Sequence, residues 1–218
     1  MRMLDLFCGR WGWSRAFAAR GWEVMGVDLI EPPEMPHGRC MFLNLDILRI
    51  DARWVKDQGL DFICASSPCE QFSVHGLKCF HKAPPYPELG IRLFNHARAI
   101  CEASGVPYIM ENVRPAQDFV GRAVNHCGSF YLWGTGVPTI LPQGISKGMK
   151  LAGMSGAQSK AMTREERLIK RRSDNMLWSS SKSAKRKAAT AQVATIPPLL
   201  SNAVADYAER LLEMRATA

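Results

Sequence analysis

The chain has 218 residues, 47% hydrophobic and 22% charged, enough to bury a core in one domain with a small appendage, which excludes disordered, collagen-like and repeat architectures. No apolar run reaches the length of about 18 residues that a spanning helix needs, and Met1-Arg2-Met3-Leu4-Asp5 meets an acid too early for a signal peptide, so the reading is a soluble, cytoplasmic protein with no membrane partner. The net charge is +8, yet between Leu141 and Thr190 stand 12 Lys or Arg against Glu165, Glu166 and Asp174, and the rest of the chain is near neutral. Such a concentration in a Ser-, Lys- and Gly-rich stretch reads as a footprint for a polyanion, nucleic acid first, with a solubilising basic loop as the plainer alternative.

Met3 to Phe7 is a short apolar run that ends in a glycine-containing turn, and Ser14 to Gly21 follows as a helix with a Ser start and a Gly stop. Glu23 to Asp28 predicts a second buried strand, Asp61 to Ser66 another and Tyr108 to Glu111 a fourth, each apolar and each closing on polar residues. Leu89, Leu93, Ala97, Ile100 and Cys101 keep helical spacing before Gly105 and Pro107, which supplies a crossover helix. The fold class is therefore α/β with a parallel sheet, its polar strand ends on one edge. His126 to Trp133 reads as one further strand. After it Gly134, Gly136 and Pro138 set a domain edge near Val137. Past Pro197-Pro198, Leu200, Val204, Tyr207 and Leu211 share one face of a terminal helix that packs back on the first domain. The strand methionines, Met1, Met3, Met25, Met41 and Met110, read as core filling.

Ligands collect beyond the carboxyl ends of such strands, so the chemistry is sought there. Asp5-Leu-Phe-Cys-Gly9-Arg-Trp-Gly12 puts glycines where backbone N–H groups can approach an adenosyl or phosphate ligand, without the spacing of a dinucleotide fingerprint or a phosphate loop. Asp28, about twenty residues on, suits the two hydroxyls of a ribose. Asp46 followed by Ile47 suits an adenine amino group and ring, or a loop acid beside a core residue. Pro68-Cys69 holds a thiol just past a buried strand, where it is exposed enough for nucleophilic attack, whereas Cys64 within the run is an inert core thiol. Glu111-Asn112-Val113 closes the fourth strand with a carboxyl that can act on a ring nitrogen. The seven cysteines are odd in number and contain no CxxC pair, which argues against a disulfide framework, and the isolated Cys/His pairs lack metal-ligand spacing.

In this order the five groups resemble the DNA (cytosine-5) methyltransferase family, especially its small phage-type members. The resemblance covers about the first 115 residues, and more loosely the helix after Pro197-Pro198. It implies a Rossmann-like methyltransferase sheet, S-adenosylmethionine as donor, and duplex DNA with a flipped cytosine as substrate, inside a bacterial host if phage-encoded. By the same resemblance Cys69, Glu111 and Asn112 are catalytic, and Asp5, Phe7, Gly9, Gly12, Asp28, Asp46, Ile47 and Pro68 form the donor site. Residues 1–136 would be the catalytic core, 137–195 a basic DNA-contacting segment in place of a full target-recognition domain, and 196–218 the returning helix. The chain departs from the family in four places. Trp11 stands at a usual glycine, with Arg10 before it. Glu70 replaces the Gln after Pro-Cys. The Gln-x-Arg-x-Arg strand is not visible around Cys127 to Trp133, with Arg114 and Arg122 as candidate substitutes. Val193-Ala194-Thr195-Ile196 replaces Gly-Asn-x-Val. A cytosine-5 transferase acting on RNA or a free nucleotide, and a nucleic-acid-binding protein that no longer uses the donor, are the alternatives.

Overall fold

The computed structural model describes residues 1–32, 34–76, 87–143 and 195–217. One compact unit comprises Met1–Pro142 with Ile196–Ala218. A second unit, Gln143–Thr195, holds most of the basic stretch, which lies outside the described residues.

Seven strands form one sheet in the order β3-β2-β1-β4-β5-β7-β6. They are β1 (Arg2–Leu6), β2 (Glu23–Asp28), β3 (Cys40–Asn44), β4 (Phe62–Ser66), β5 (Tyr108–Asn112), β6 (Asn125–Cys127) and β7 (Phe130–Trp133). The first five pair in parallel, and β7 enters antiparallel to β5. Six α-helices are described: α1 (Ser14–Ala19), α2 (Ala52–Asp57), α3 (Glu70–Gly76), α4 (Glu88–Ser104), α5 (Gln117–Val120) and α6 (Pro198–Ala216). This is the doubly wound α/β sheet expected from the alternation of short apolar runs and helical spacing.

Parallel strands buried on both faces need apolar residues at consecutive positions, and β1 supplies them. Leu4, Leu6, Met25, Val27, Ile63, Ala65 and Met110 point to one face and pack with Val55 of α2 and Phe94 and Ala97 of α4. The register Asp5↔Gly26 and Asp5↔Cys64 puts the intervening residues on the opposite face. There Phe17 stacks on Phe62 and meets Trp22 edge to face, 4.9 Å between centroids. The terminal helix returns to the core through α1. Arg20 donates to Asp206 at 2.5 Å and to Asn202, and the Trp22 indole N–H donates to Glu209 at 3.0 Å.

The structure differs from the sequence reading at four points. The segment from His126 to Trp133 is not one strand but the hairpin β6–β7, reversed at Gly128, whose positive φ of 60° suits a residue without a Cβ. The strand β3 carried no clear signal because it is half-exposed, and its alternation is weak. Met1 and Met41 are exposed at 55% and 46%, so they do not fill the core as Met3, Met25 and Met110 do. The compact unit also runs past Gly136 to Pro142. Asn125 Nδ2 donates to the carbonyls of Pro138 and Thr139, and the Cys127 thiol donates to that of Pro142.

The Trp11 indole is turned inward, 1% exposed, against Gly26 of β2. A Cβ at position 26 would lie 2.2 Å from the ring. Gly26→Ala should therefore cost about 1–3 kcal/mol by overpacking, read as a lower urea midpoint. The double change Gly26→Ala with Trp11→Leu should recover part of that loss. If Gly26→Ala melts like the wild type, the indole does not fill this space.

Candidate active site

The order of strands reverses between β1 and β4, since β1 leads by way of α1 to β2 on one side and β4 leads to β5 on the other. Loops leaving two such strands diverge and open a crevice at the carboxyl edge, the usual ligand position in this architecture. The loops here are Phe7–Trp13 and Ser67–Cys69. The first loop is tied to the end of β4, just before the second, by the Trp13 indole N–H, which donates to Ser66 Oγ at 2.9 Å.

The first loop is a tight left-handed structure. Phe7, Gly9 and Trp11 have φ of 60°, 48° and 61°, and non-glycine residues in this region cost on the order of 1–3 kcal/mol each. Two anchors offset that strain. The Trp11 ring fills the space over Gly26, beside Cys8 and edge-on to Phe42, and the Asp28 Oδ2 accepts from the Gly9 N–H at 3.0 Å. The tryptophan at the usual glycine position therefore points its ring into the fold, away from the open side of the loop. Gly12 has a different constraint. A Cβ there would meet the Ile196 nitrogen at 2.8 Å, so this glycine lets the start of the terminal segment pass behind the loop.

Asp28 Oδ1 accepts from the N–H groups of Leu29 and Ile30. A carboxylate has about four lone-pair sites, so the three N–H groups leave capacity for a hydroxyl. Asn44 donates to the Leu29 carbonyl at 2.8 Å and holds the end of β3 beside Asp28. Two residues on, Asp46 uses Oδ1 to cap the 3-10 turn Ile47–Arg49 through the Leu48 N–H. Leu29 and Ile30, directly after Asp28, are 65% and 77% exposed and form an apolar rim there. Sequence reasoning missed them; the signal was two apolar residues directly after a strand-end acid.

Of the residues expected in the donor site, Ile47 and Asp5 lie behind the strand edge and Gly12 is half-buried. Ile47 is buried in the core cluster on the α2/α4 face, so it shapes the pocket without facing it. Gly12 has Ile196 against the side that a Cβ would take. Asp5, 1% exposed, accepts from Ser14 Oγ at 2.5 Å and holds the start of α1, while its Oδ1 is buried without a partner. Burial pushes the Asp5 carboxyl up to about 7, against the lowering hydrogen bonds from Ser14. Phe7, Gly9, Asp28, Asp46 and Pro68 lie toward the edge itself.

The second loop is fixed from β5. Asn112 is fully buried, and its amide donates to both the Ser67 carbonyl and the Ser67 Oγ at 3.0 Å, while its own oxygen accepts the Val113 N–H. This clamp holds the residue before Pro68-Cys69. Glu111, 5% exposed, pairs in register with Ser66, three positions before Cys69. Cys69 itself is half-buried and stands at the entry to α3, its carbonyl accepting the Ser73 N–H at 2.8 Å. Glu70 occupies the first turn of that helix. Ser66 and Ser67 were also missed as functional positions, although two serines before Pro-Cys are the visible signal. Burial pushes the thiols of Cys8, Cys40, Cys64, Cys101 and Cys127 up, Cys101 to about 12, which leaves them protonated and unreactive at neutral pH.

A doubly wound sheet with a left-handed loop after β1, acids after β2 and β3, and polar clamps after β4 and β5 has the Rossmann-like arrangement of methyltransferases. The family model for C-5 cytosine-specific DNA methylases matches residues 1–124, and the chain belongs to that family. Among solved structures it is similar to a DNMT2 mutant of Spodoptera frugiperda, at 23% identity over 54% of this chain and 37% of that one, with a TM-score of 0.37. It is also similar to the S. pombe Dnmt2 methyltransferase, at 16% identity over 56% and 37%, with a TM-score of 0.39. A third similar structure is the Burkholderia thailandensis 1,6-didemethyltoxoflavin-N1-methyltransferase with bound S-adenosylhomocysteine, at 14% identity over 80% and 59%, TM-score 0.32. The chain spans little more than a third of the length of the two Dnmt2 structures. No curated protein sequence matches it.

Asp5 provides a test of the loop's anchoring. A carboxyl raised to about 7 in the fold, against 3.8 ordinarily, binds more protons folded than unfolded between those values, so its contribution makes stability fall as pH rises through that window. Asp5→Asn keeps an acceptor for Ser14 and removes the charge. Relative to the variant, the wild type should lose up to about 4 kcal/mol between the two pH limits, measured by urea unfolding. Parallel pH profiles for the two proteins would contradict the assignment.

Proposed function

We propose that the protein transfers a methyl group from S-adenosylmethionine to C5 of cytosine in DNA through a covalent adduct between Cys69 and C6, with the target base flipped out of the helix. The observation that carries this reading is the Asn112 clamp, which ties the loop bearing Cys69 to the strand bearing Glu111. The match to a family described as DNA methylases supports DNA as the substrate, as does the charge of residues 141–190, since Lys and Arg in such numbers neutralise phosphates. A transferase acting on RNA or a free nucleotide is the second reading.

Cytosine C5 is too poor a nucleophile to attack a sulfonium unaided, so the ring must first be made electron-rich. The Cys69 sulfur, as thiolate, gives its electron pair to C6, and the C5–C6 π electrons move onto the ring. Glu111 acts at N3 and the exocyclic amine, delivering or sharing the proton that neutralises the ring as the sulfur adds. When bound, S-adenosylmethionine supplies the electrophilic methyl. Asp28, Asp46, Gly9 and Phe7 would hold it, with Leu29 and Ile30 against its purine; the free lone pairs on Asp28 and Asp46 and the apolar rim fit that molecule. After C5 has accepted the methyl, a base removes the C5 proton, the C5–C6 double bond reforms, and the Cys69 sulfur departs with its electrons. Extruding the cytosine costs a few kcal/mol, which contacts in the pocket and along the phosphates offset. Asn112 contributes by fixing Ser67, and with it the position of Pro68-Cys69, before the substrate arrives.

Duplex DNA carrying 5-fluorocytosine distinguishes these readings, because fluorine cannot leave as a cation and the adduct stalls. With S-adenosylmethionine the wild type should give a shifted band on a denaturing gel, and Cys69→Ala none. Competition by unlabelled RNA stronger than by DNA would favour the second reading. Absence of any band where duplex binding is confirmed would move the protein to a binding role.

A further inference from the structure

Past the end of β5 the chain opens into a groove of about 870 Å3 whose walls include Arg114, Asp118, Arg122, His126 and Tyr131. The donor site and the nucleophile loop do not use it. Its walls are firmly built. Gln117 spans them, donating to the Arg114 carbonyl and accepting the Ala123 N–H at 3.1 Å. The turn carrying Arg122 is held from below by the Trp133 indole N–H on the Gly121 carbonyl at 2.9 Å and by Arg98 on the Val120 carbonyl at 2.7 Å.

Two features of the groove point to one class of occupant. Arg114 and Arg122 are exposed and form no ion pair among the described residues, so two guanidinium groups are available against the one carboxylate of Asp118. Opposite each other in the β6–β7 pair, His126 and Tyr131 stack with 4.9 Å between ring centroids and 15° between planes. The imidazole is the exposed member of the pair. A preformed aromatic platform beside unpaired arginines matches a nucleotide, whose base extends the stack while its phosphate takes the guanidinium donors. An acidic peptide would satisfy the arginines and leave the platform bare.

The groove also continues the candidate active site. Arg114 lies three residues beyond Glu111, and the 3-10 turn it opens (Arg114–Ala116) packs on α3, the helix that Cys69 begins. Phe72 of α3 and Phe119 of α5 meet at 6.0 Å between centroids. We propose that this groove holds a nucleotide flanking the target cytosine on the same strand, its phosphate on Arg114 and Arg122 and its base on the His126–Tyr131 stack. The proposal rests on a nucleic-acid substrate for the site described above.

Binding of labelled single-stranded and duplex DNA to the full chain, by fluorescence anisotropy across a salt series, tests it. Each phosphate contact contributes about 0.9 to the slope of log affinity against log salt on duplex, so Arg114→Ala/Arg122→Ala should flatten that slope by nearly 2. His126→Ala should lower affinity for the single strand roughly tenfold to a hundredfold, the size of one base stack, with the slope retained. Arg92→Ala, on the exposed side of α4, should change neither. Thermal melts check the fold of each variant, and Arg122→Gln, a single change on an exposed turn, substitutes should the double variant unfold. If the wild type binds DNA and gives the Cys69 adduct but the groove variants bind as it does, the groove assignment falls and the reading of the active site stands. If the wild type neither binds DNA nor forms the adduct, both fall.

Discussion

The whole site depends on one buried side-chain amide. Asn112 donates both of its hydrogens to Ser67, carbonyl and hydroxyl, and accepts from the backbone of Val113. A buried amide with these partners satisfied is costly to displace, because a broken bond inside the protein leaves a donor that water cannot reach. The consequence reaches in two directions. Along β4 it fixes the residue before Pro68-Cys69, and along β5 it fixes the strand that carries Glu111, so Cys69 and Glu111 are positioned by the same two strand ends. Proline at 68 adds its own restriction on the backbone between clamp and thiol.

On the other side of the crevice, the loop after β1 works by a different physical device. Three residues in left-handed conformation bring the chain round sharply, and their strain is held by packing on one side and by a carboxylate on the other. Trp11 is the packing element. Its ring occupies space that Gly26 leaves open in β2, so a residue that looks obstructive beside a ligand loop is part of the core. The departure from the family pattern at position 11 therefore changes how the loop is supported more than what it presents. A cost remains, since the Trp11 indole nitrogen and the Asp5 Oδ1 are both buried without partners.

Charge is distributed to match. The end of the crevice beyond β2 and β3 carries acids, Asp28 and Asp46, whose oxygens are partly used to shape backbone and partly open. The opposite end, beyond β5, carries the stacked rings of His126 and Tyr131 and two arginines, Arg114 and Arg122, that form no ion pair among the described residues. Under the proposed function, a sulfonium cofactor with hydroxyl and amino donors suits the first and a phosphodiester strand the second, so the sheet edge would separate the two by sign of charge. The thiol of Cys69 lies between them, in the loop after β4.

The sequence by itself determined the α/β alternation, the four buried parallel strands other than β3, the crossover helix and the strand-end acids and thiol, because these are local patterns: apolar runs of strand length, helical spacing, and polar residues where each run stops. It placed Cys69, Glu111, Asn112 and Asp28 at one edge for the same reason. Only the tertiary structure decided which of the named residues face that edge. Asp5 and Ile47 alternate with their neighbours in ways that a one-dimensional pattern does not resolve, and burial turned both inward, while Gly12 answered to Ile196, nearly the whole chain away. The hairpin at Gly128 and the stack of His126 on Tyr131 were likewise out of reach of sequence, since both arise from pairing across strands, and the weak strand β3 became a strand through its partner β2. Contacts between distant segments set the direction of each side chain, and direction is what separates a ligand from a support.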